Sequence, residues 1–201
     1  MKNILVLYPK DFNCSSKFKR KLDNILSSIE SCKFYTLHDS KDLISEYIKS
    51  NPAVKSFECI ENINDHELHN AVIFDDRSSF TKEKEMLQKL NIPLRMISTP
   101  ITKVINIKIE TDYENQRDSQ YYQYIGRGSY WGNPYSMYEN GDSREDVIRK
   151  YKYDFDFNKF INKDKSQVYK LHGKILGCFC KPDACHGDIL ADFLNSWDDG
   201  K

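Results

Sequence analysis

No glycine precedes Gly126, so all eight glycines of this 201-residue chain fall in its second part. Glycine lets a backbone take positive φ and press close to a phosphate, so the first part has no glycine-rich phosphate loop. An excess of charge is also missing: 30 Lys and Arg balance 30 Asp and Glu, and a split at Thr102 uncovers no basic half. Long-range attraction to nucleic-acid phosphates is therefore not expected. There is no run of about eighteen apolar residues that would cross a membrane. MKNILVLYPKD at the start has too short an apolar run and no cleavage site for a secretory signal. These absences point to a soluble, cytoplasmic protein with no membrane partner. Thiols stay reduced in that compartment, so the six cysteines are not read as a disulfide framework. Cys14, Cys32 and Cys59 are scattered and read as ordinary core or surface residues.

The length fits one or two domains, and the abrupt onset of glycine favours two, at 1–102 and 103–201. In the first, strand-like runs at 3–8, 33–37, 54–60, 71–75 and 94–98 alternate with amphipathic stretches. One of these carries Phe18, Leu22, Ile25, Leu26 and Ile29 at helical spacing behind a Ser15 or Ser16 cap. Another carries Leu43, Ile44, Tyr47 and Ile48, and a third spans 81–90. That β-α-β order predicts an α/β fold, a Rossmann-like domain with a parallel sheet, followed by a smaller α/β domain. In the smaller domain a strand with Ile105, Ile107 and Ile109 on one face is expected, then a strand at 122–125. A turn at Glu139, Asn140 and Gly141 follows, and then a helix opened by a capping box of Ser143 and Asp146. A strand at 174–180 and a helix at 186–197 end the chain; residues 155–168 have no clear pattern.

Two segments carry chemistry. GRGSYWGNP offers Gly126, Gly128 and Gly132 for close backbone approach to an anion, and Arg127 for a phosphate or carboxylate. Ser129 and Asn133 offer neutral hydrogen bonds, and Trp131 or Tyr130 a surface for stacking on a base. The competing reading is a tight corner with Trp131 buried. GCFCKPDACHGD, residues 177–188, holds Cys178, Cys180, Cys185, His186 and Asp188. Zinc accepts such donors, but its sites usually join two separated knuckles, and here Cys185 and His186 are adjacent, so no metal site is expected. A thiolate fits the strand-to-helix turn better: the start of a helix lowers a thiol's pKa. His186 is then a base or ion-pair partner, and Asp188 orients it or caps the helix. Cys178 reads as core.

The second domain resembles the bacterial and phage family called domain of unknown function 4326. A strand like KVINIK, the signature YIGRGSYWGNP, a helix opening like SREDVIRKY and the ending GKILGCFCKPDACHGDILADFL carry the resemblance over residues 103–196. It departs by a polar insert at 111–120 and an aromatic stretch before Gly173. The resemblance places Gly126, Arg127, Ser129, Trp131, Gly132, Asn133, Pro134, Cys178, Cys180, Cys185, His186 and Asp188 at signature positions but brings no activity with it. The first domain is similar, more weakly, to the SLOG superfamily of Rossmann-like nucleotide-binding domains. NILVLYPKDF with FKRKLDNIL, and AVIFDDRSSFTKEKEMLQKLNIPLRMI, carry that likeness. TLHDSKD stands where the superfamily has its phosphate loop, which implies a lost ligand site. His38, Asp39, His66 and His69 then read as surface or turn residues.

The expectation is a second domain that binds, and as an enzyme would alter, a small nucleotide-like molecule without a further cofactor. Cys180, Cys185, His186 and Asp188 would be catalytic in a transferase or hydrolase of glycoside-cleaving type. Gly126, Arg127, Gly128, Ser129, Trp131, Gly132 and Asn133 would bind the ligand. The alternative is a non-catalytic accessory protein that sequesters a nucleotide signal or docks on a host protein. A structural zinc clip is a third reading.

Overall fold

The structure is a computed structural model that describes residues 1–116, 118–138 and 141–201. The expected turn at Glu139 and Asn140 lies outside the described residues. The chain divides into two compact units, Met1–Pro100 with Ser196–Lys201, and Ile101–Asn195. The tail from Ser196 thus groups with the first unit, not with the second as the sequence division has it. Its hold is electrostatic. Lys17, almost wholly buried on the first helix, meets Asp199 at 2.8 Å, and Arg20 one turn on meets Asp198 at 2.7 Å.

In the first unit β1 (Lys2–Leu7), β2 (Cys32–Thr36), β3 (Val54–Cys59), β4 (Asn70–Asp75) and β5 (Leu94–Ser98) form one sheet in the order β3-β2-β1-β4-β5, and every pairing is parallel. The apolar run explains the centre: Ile4, Leu5, Val6 and Leu7 are all buried, as a strand covered on both faces requires. Helices α1 (Ser15–Leu26), α2 (Leu43–Ser50) and α3 (Thr81–Lys89) connect the strands. Phe18, Leu22 and Leu26 of α1 are buried at the spacing the sequence shows, but the N-cap is Cys14 and no side chain caps the helix, neither Ser15 nor Ser16.

After β2 the chain lacks a glycine loop, and a carboxylate does its work. Asp39 accepts the amide protons of Ile44 (3.0 Å) and Ser45 (2.9 Å) at the start of α2, and the Tyr8 hydroxyl (2.6 Å). A helix N-terminus attracts anions; here the chain's own carboxylate takes these donors. Burial alone would raise this carboxyl, but the bonds from Tyr8, Ile44 and Ser45 outweigh it and hold it below its usual range.

The second unit is a three-stranded sheet of β6 (Lys103–Asn106), β7 (Tyr122–Tyr124) and β8 (Ile175–Cys178), with β8 central and both neighbours parallel to it. Helices α4 (Arg144–Asp156) and α5 (His186–Asn195) accompany it. α4 starts on the expected capping box of Ser143 and Asp146 and buries Val147, Tyr151 and Phe155 on one face. Tyr151 and Phe155 pack with Leu176, Leu190, Leu194, Ile125 and Trp131 into one core. Three expectations shift. β6 stops at Asn106, so Ile105 and Ile107 are buried while Ile109 is exposed. β8 stops at Cys178, leaving Cys180 in the turn. The patternless stretch holds the end of α4 and a 3-10 segment, Lys165–Leu171. Among the described residues no helix is long and apolar enough to cross a membrane.

Because Asp39 titrates below its unfolded value, its contribution is present above the ordinary carboxylate range near pH ~4 and is lost as pH falls through the folded value. Asp39→Ala, which removes the acceptor of the Tyr8 O–H and of two helix amides, should cost about 1–3 kcal/mol at neutral pH. Urea midpoints should show that difference shrinking in acid. A variant as stable as the parent at neutral pH contradicts this account of the loop.

Candidate functional site

All three strands of the second unit run parallel, so their C-terminal ends share one edge: Asn106 pairs with Cys178, and Tyr124 with Gly177. This is the edge where α/β sheets hold ligands. Both signature segments leave from it, GRGSYWGNP after β7 and the cysteine turn after β8.

The cysteine turn begins where β8 ends. Cys178, the last strand residue, is buried, Phe179 is 48% exposed, and Cys180 in the turn is half-buried. The chain then turns through Lys181 and Pro182, joined by a cis peptide bond, with the Asp183 amide donating to the Cys180 carbonyl at 3.0 Å. The Asn106 side chain donates to the carbonyls of Phe179 and Lys181. Cys185 comes back close to Cys178 and Cys180. The Cys178 and Cys180 sulfurs lie 3.6 Å apart, and all three sulfurs lie within 4.8 Å of one another. The convergence that spacing in one segment argued against is therefore present.

His186 opens α5 and is buried. Its Nε2 donates to the carbonyl of Ile125 at 2.9 Å, and its Nδ1 faces the Cys185 sulfur at 3.7 Å. Burial pushes the imidazole below its ordinary pKa, so the ring is neutral at pH 7. Asp188 does not orient it. Its carboxylate accepts the Cys185 amide at 3.0 Å and pairs with Lys181 at 2.7 Å, which is the capping role. The thiol order also differs from expectation. Hydrogen bonding to the neighbouring sulfurs raises Cys185, with burial adding to it. Cys180 is shifted far down, because the thiols of Cys178 and Cys185 both donate to it, with the Arg144 guanidinium adding charge attraction. The anion of this cluster belongs on Cys180 rather than Cys185.

The glycine loop splits into ligand-facing and structural parts. Gly126, Arg127 and Asn133 line a cavity of about 180 Å³ together with Cys178, Cys180, Ala184 and His186. Tyr135, Met137, Arg144, Val147, Ile148 and Phe179 complete the wall. Trp131 is absent from it: the ring is 3% exposed and packed in the core, and its carbonyl accepts the Tyr151 hydroxyl at 2.9 Å. The expected stacking on a base is thereby ruled out for Trp131. Asn133 is mostly occupied, donating to the Val147 carbonyl and accepting from the Tyr135 amide. Gly128 takes φ +85° in the turn. Ser129 Oγ is buried without a hydrogen-bond partner among the described residues, and neither it nor Gly128 lines the cavity. Arg127 is exposed and has no ion-pair partner among the described residues. Sequence reasoning missed Arg144, whose guanidinium pairs with Asp183 at 3.1 Å. The capping box at Ser143 was the available signal, since it puts the next residue at the mouth of a helix.

Gly132 is held by contact. A Cβ there would stand 2.5 Å from the Gly126 carbonyl oxygen and 3.2 Å from that of Ser129. Gly132→Ala must therefore push two stretches of backbone apart, costing about 1–3 kcal/mol. A urea midpoint equal to the parent's would contradict this close approach.

The family model described as minimal SLOG domain matches residues 1–105. The model described as domain of unknown function 4326 matches residues 107–196. An uncharacterized 12.4 kDa protein in the nrdA-td intergenic region of Enterobacteria phage T4 is 39% identical over 82 residues, 40% of this chain and 74% of that protein. No solved structure matches significantly. The chain belongs to the minimal SLOG domain family through its first unit, and its second unit is similar to the domain of unknown function 4326 family.

Proposed function

We propose that the second unit binds a small nucleotide-like molecule in the cavity between the glycine loop and the cysteine turn. The observation that carries this reading is that both signature segments line one cavity, with Arg127 and Arg144 on its wall. About 180 Å³ is well below the roughly 300–1,000 Å³ of pockets that enclose drug-sized ligands. The cavity suits one ring or one phosphate-sized group, with the rest of the ligand outside. Tyr135, Met137, Val147 and Phe179 offer an apolar wall for a ring, and the two guanidiniums a place for an anionic group. The first unit's family relation to nucleotide-related ligands fits the same chemistry, although Asp39 already occupies the amides at the start of α2. Cys180, which opens on the cavity and is favoured as a thiolate, supports a processing step of transferase or glycoside-cleaving type. Binding needs no such step, so sequestration of a nucleotide-like signal is the same reading without turnover.

Thermal unfolding in the presence of nucleoside monophosphates, nucleoside diphosphates, ribose 5-phosphate and free nucleobases tests this. At least one should raise the midpoint of the parent, and Arg127→Ala and Arg144→Ala should each weaken that ligand roughly ten- to hundredfold, as loss of a charge-assisted hydrogen bond implies. Equal shifts in parent and both variants would sink the proposal.

A further inference from the structure

Three sulfurs held within 4.8 Å of one another, two of them 3.6 Å apart, are close to the spacing a tetrahedral ion imposes. Zinc–sulfur bonds of ~2.3 Å place the sulfurs ~3.8 Å apart, so bringing the three sulfurs onto one ion needs shifts of about 1 Å or less, and His186 must move in further to join them. Cys178 ends β8 and His186 starts α5, while Cys180 and Cys185 lie in the turn between them, which Asn106 pins.

The imidazole supplies an independent observation. Histidines that bind metal through one nitrogen usually donate the other N–H to a carbonyl or carboxylate, which fixes the tautomer. His186 has this arrangement before any ion is considered: Nε2 donates to Ile125 at 2.9 Å, and the Nδ1 lone pair is turned toward the Cys185 sulfur at 3.7 Å. The Gly187 amide also points at that sulfur at 3.4 Å, a contact that supports a thiolate ligand.

We infer that Cys178, Cys180 and Cys185 hold a zinc ion, with His186 Nδ1 as the fourth donor. On binding, each thiol that is still protonated releases its proton to solvent, so uptake weakens in acid. The site stands on the sulfurs and the imidazole alone and does not require the nucleotide-like ligand. A bound ion would lie at the wall of the same cavity and would take Cys180 out of use as a free nucleophile, leaving Arg127 and Arg144 in place.

The test uses the full chain, purified under reducing conditions without chelator. One equivalent of zinc is expected. After stripping, cobalt(II) should produce thiolate-to-metal charge-transfer bands and the intense visible absorption of a tetrahedral site, and zinc should displace it. Zinc should also shield the three turn cysteines from iodoacetamide while Cys59, exposed in the first unit, labels at the same rate. His186→Ala should weaken zinc roughly tenfold or more, and Cys59→Ser should leave affinity unchanged. The parent protein carries the primary readout, so variants that fail to fold do not blunt the test. Absence of the cobalt bands in folded, stripped parent, or labelling of the turn unaffected by zinc, would overturn the site. Unchanged affinity in His186→Ala would overturn the fourth donor. Nucleotide shifts that survive stripping, or vanish with zinc still bound, separate this proposal from the binding reading.

Discussion

The hydrogen bond from His186 Nε2 to the Ile125 carbonyl is the constraint on which the second unit's site depends. Ile125 is the last residue before the glycine loop, and His186 is the first of α5. One 2.9 Å bond therefore sets the distance between two segments 61 residues apart in sequence. It also fixes which nitrogen faces the sulfurs. Packing reinforces it: a Cβ on Gly187 would stand 2.4 Å from the end of the Ile125 side chain and 3.2 Å from the Val104 methyls, so a larger residue there would have to displace both side chains. A buried polar pair in such a close-packed place is costly to leave half made.

Much of the fold was legible because its causes are local. Continuous apolar runs such as residues 3–8 mark strands covered on both faces, and Phe18, Leu22 and Leu26 mark a helix by spacing alone. Sheet order is a different matter, since nothing local to β1 says that β2 and β4 flank it. The site divides along the same line. Which residues belong to it was readable from glycines, cysteines and charge. Where each one points was not. Trp131 beside glycines reads equally as a stacking surface or as core, and what decides is Tyr151, twenty residues away, whose hydroxyl meets the Trp131 carbonyl. Convergence of the sulfurs depends on Asn106, on another strand altogether.

The two units show opposite solutions to one problem, how a strand-to-helix turn treats the exposed amides of a helix start. In the first, Asp39 satisfies them from within, with Tyr8 closing the arrangement. In the second, Asp188 takes only the Cys185 amide, and the neighbouring polar groups, His186 and Cys180, face a cavity. In the first turn a carboxylate takes the helix amides, whereas in the second they are shared between Asp188 and the Cys185 sulfur and carbonyl.

Thr102 and Asn195, at the two ends of the second unit, bond to each other twice: the Thr102 amide donates to Asn195 Oδ1 at 2.8 Å, and Asn195 Nδ2 donates to the Thr102 carbonyl at 3.0 Å. The chain thus enters and leaves this unit at a single point, and the tail beyond Asn195 rejoins the first unit. In topological terms the second unit is an insertion near the end of a Rossmann-like host. Because its ends already meet, the second unit interrupts the first with little loop-closure cost.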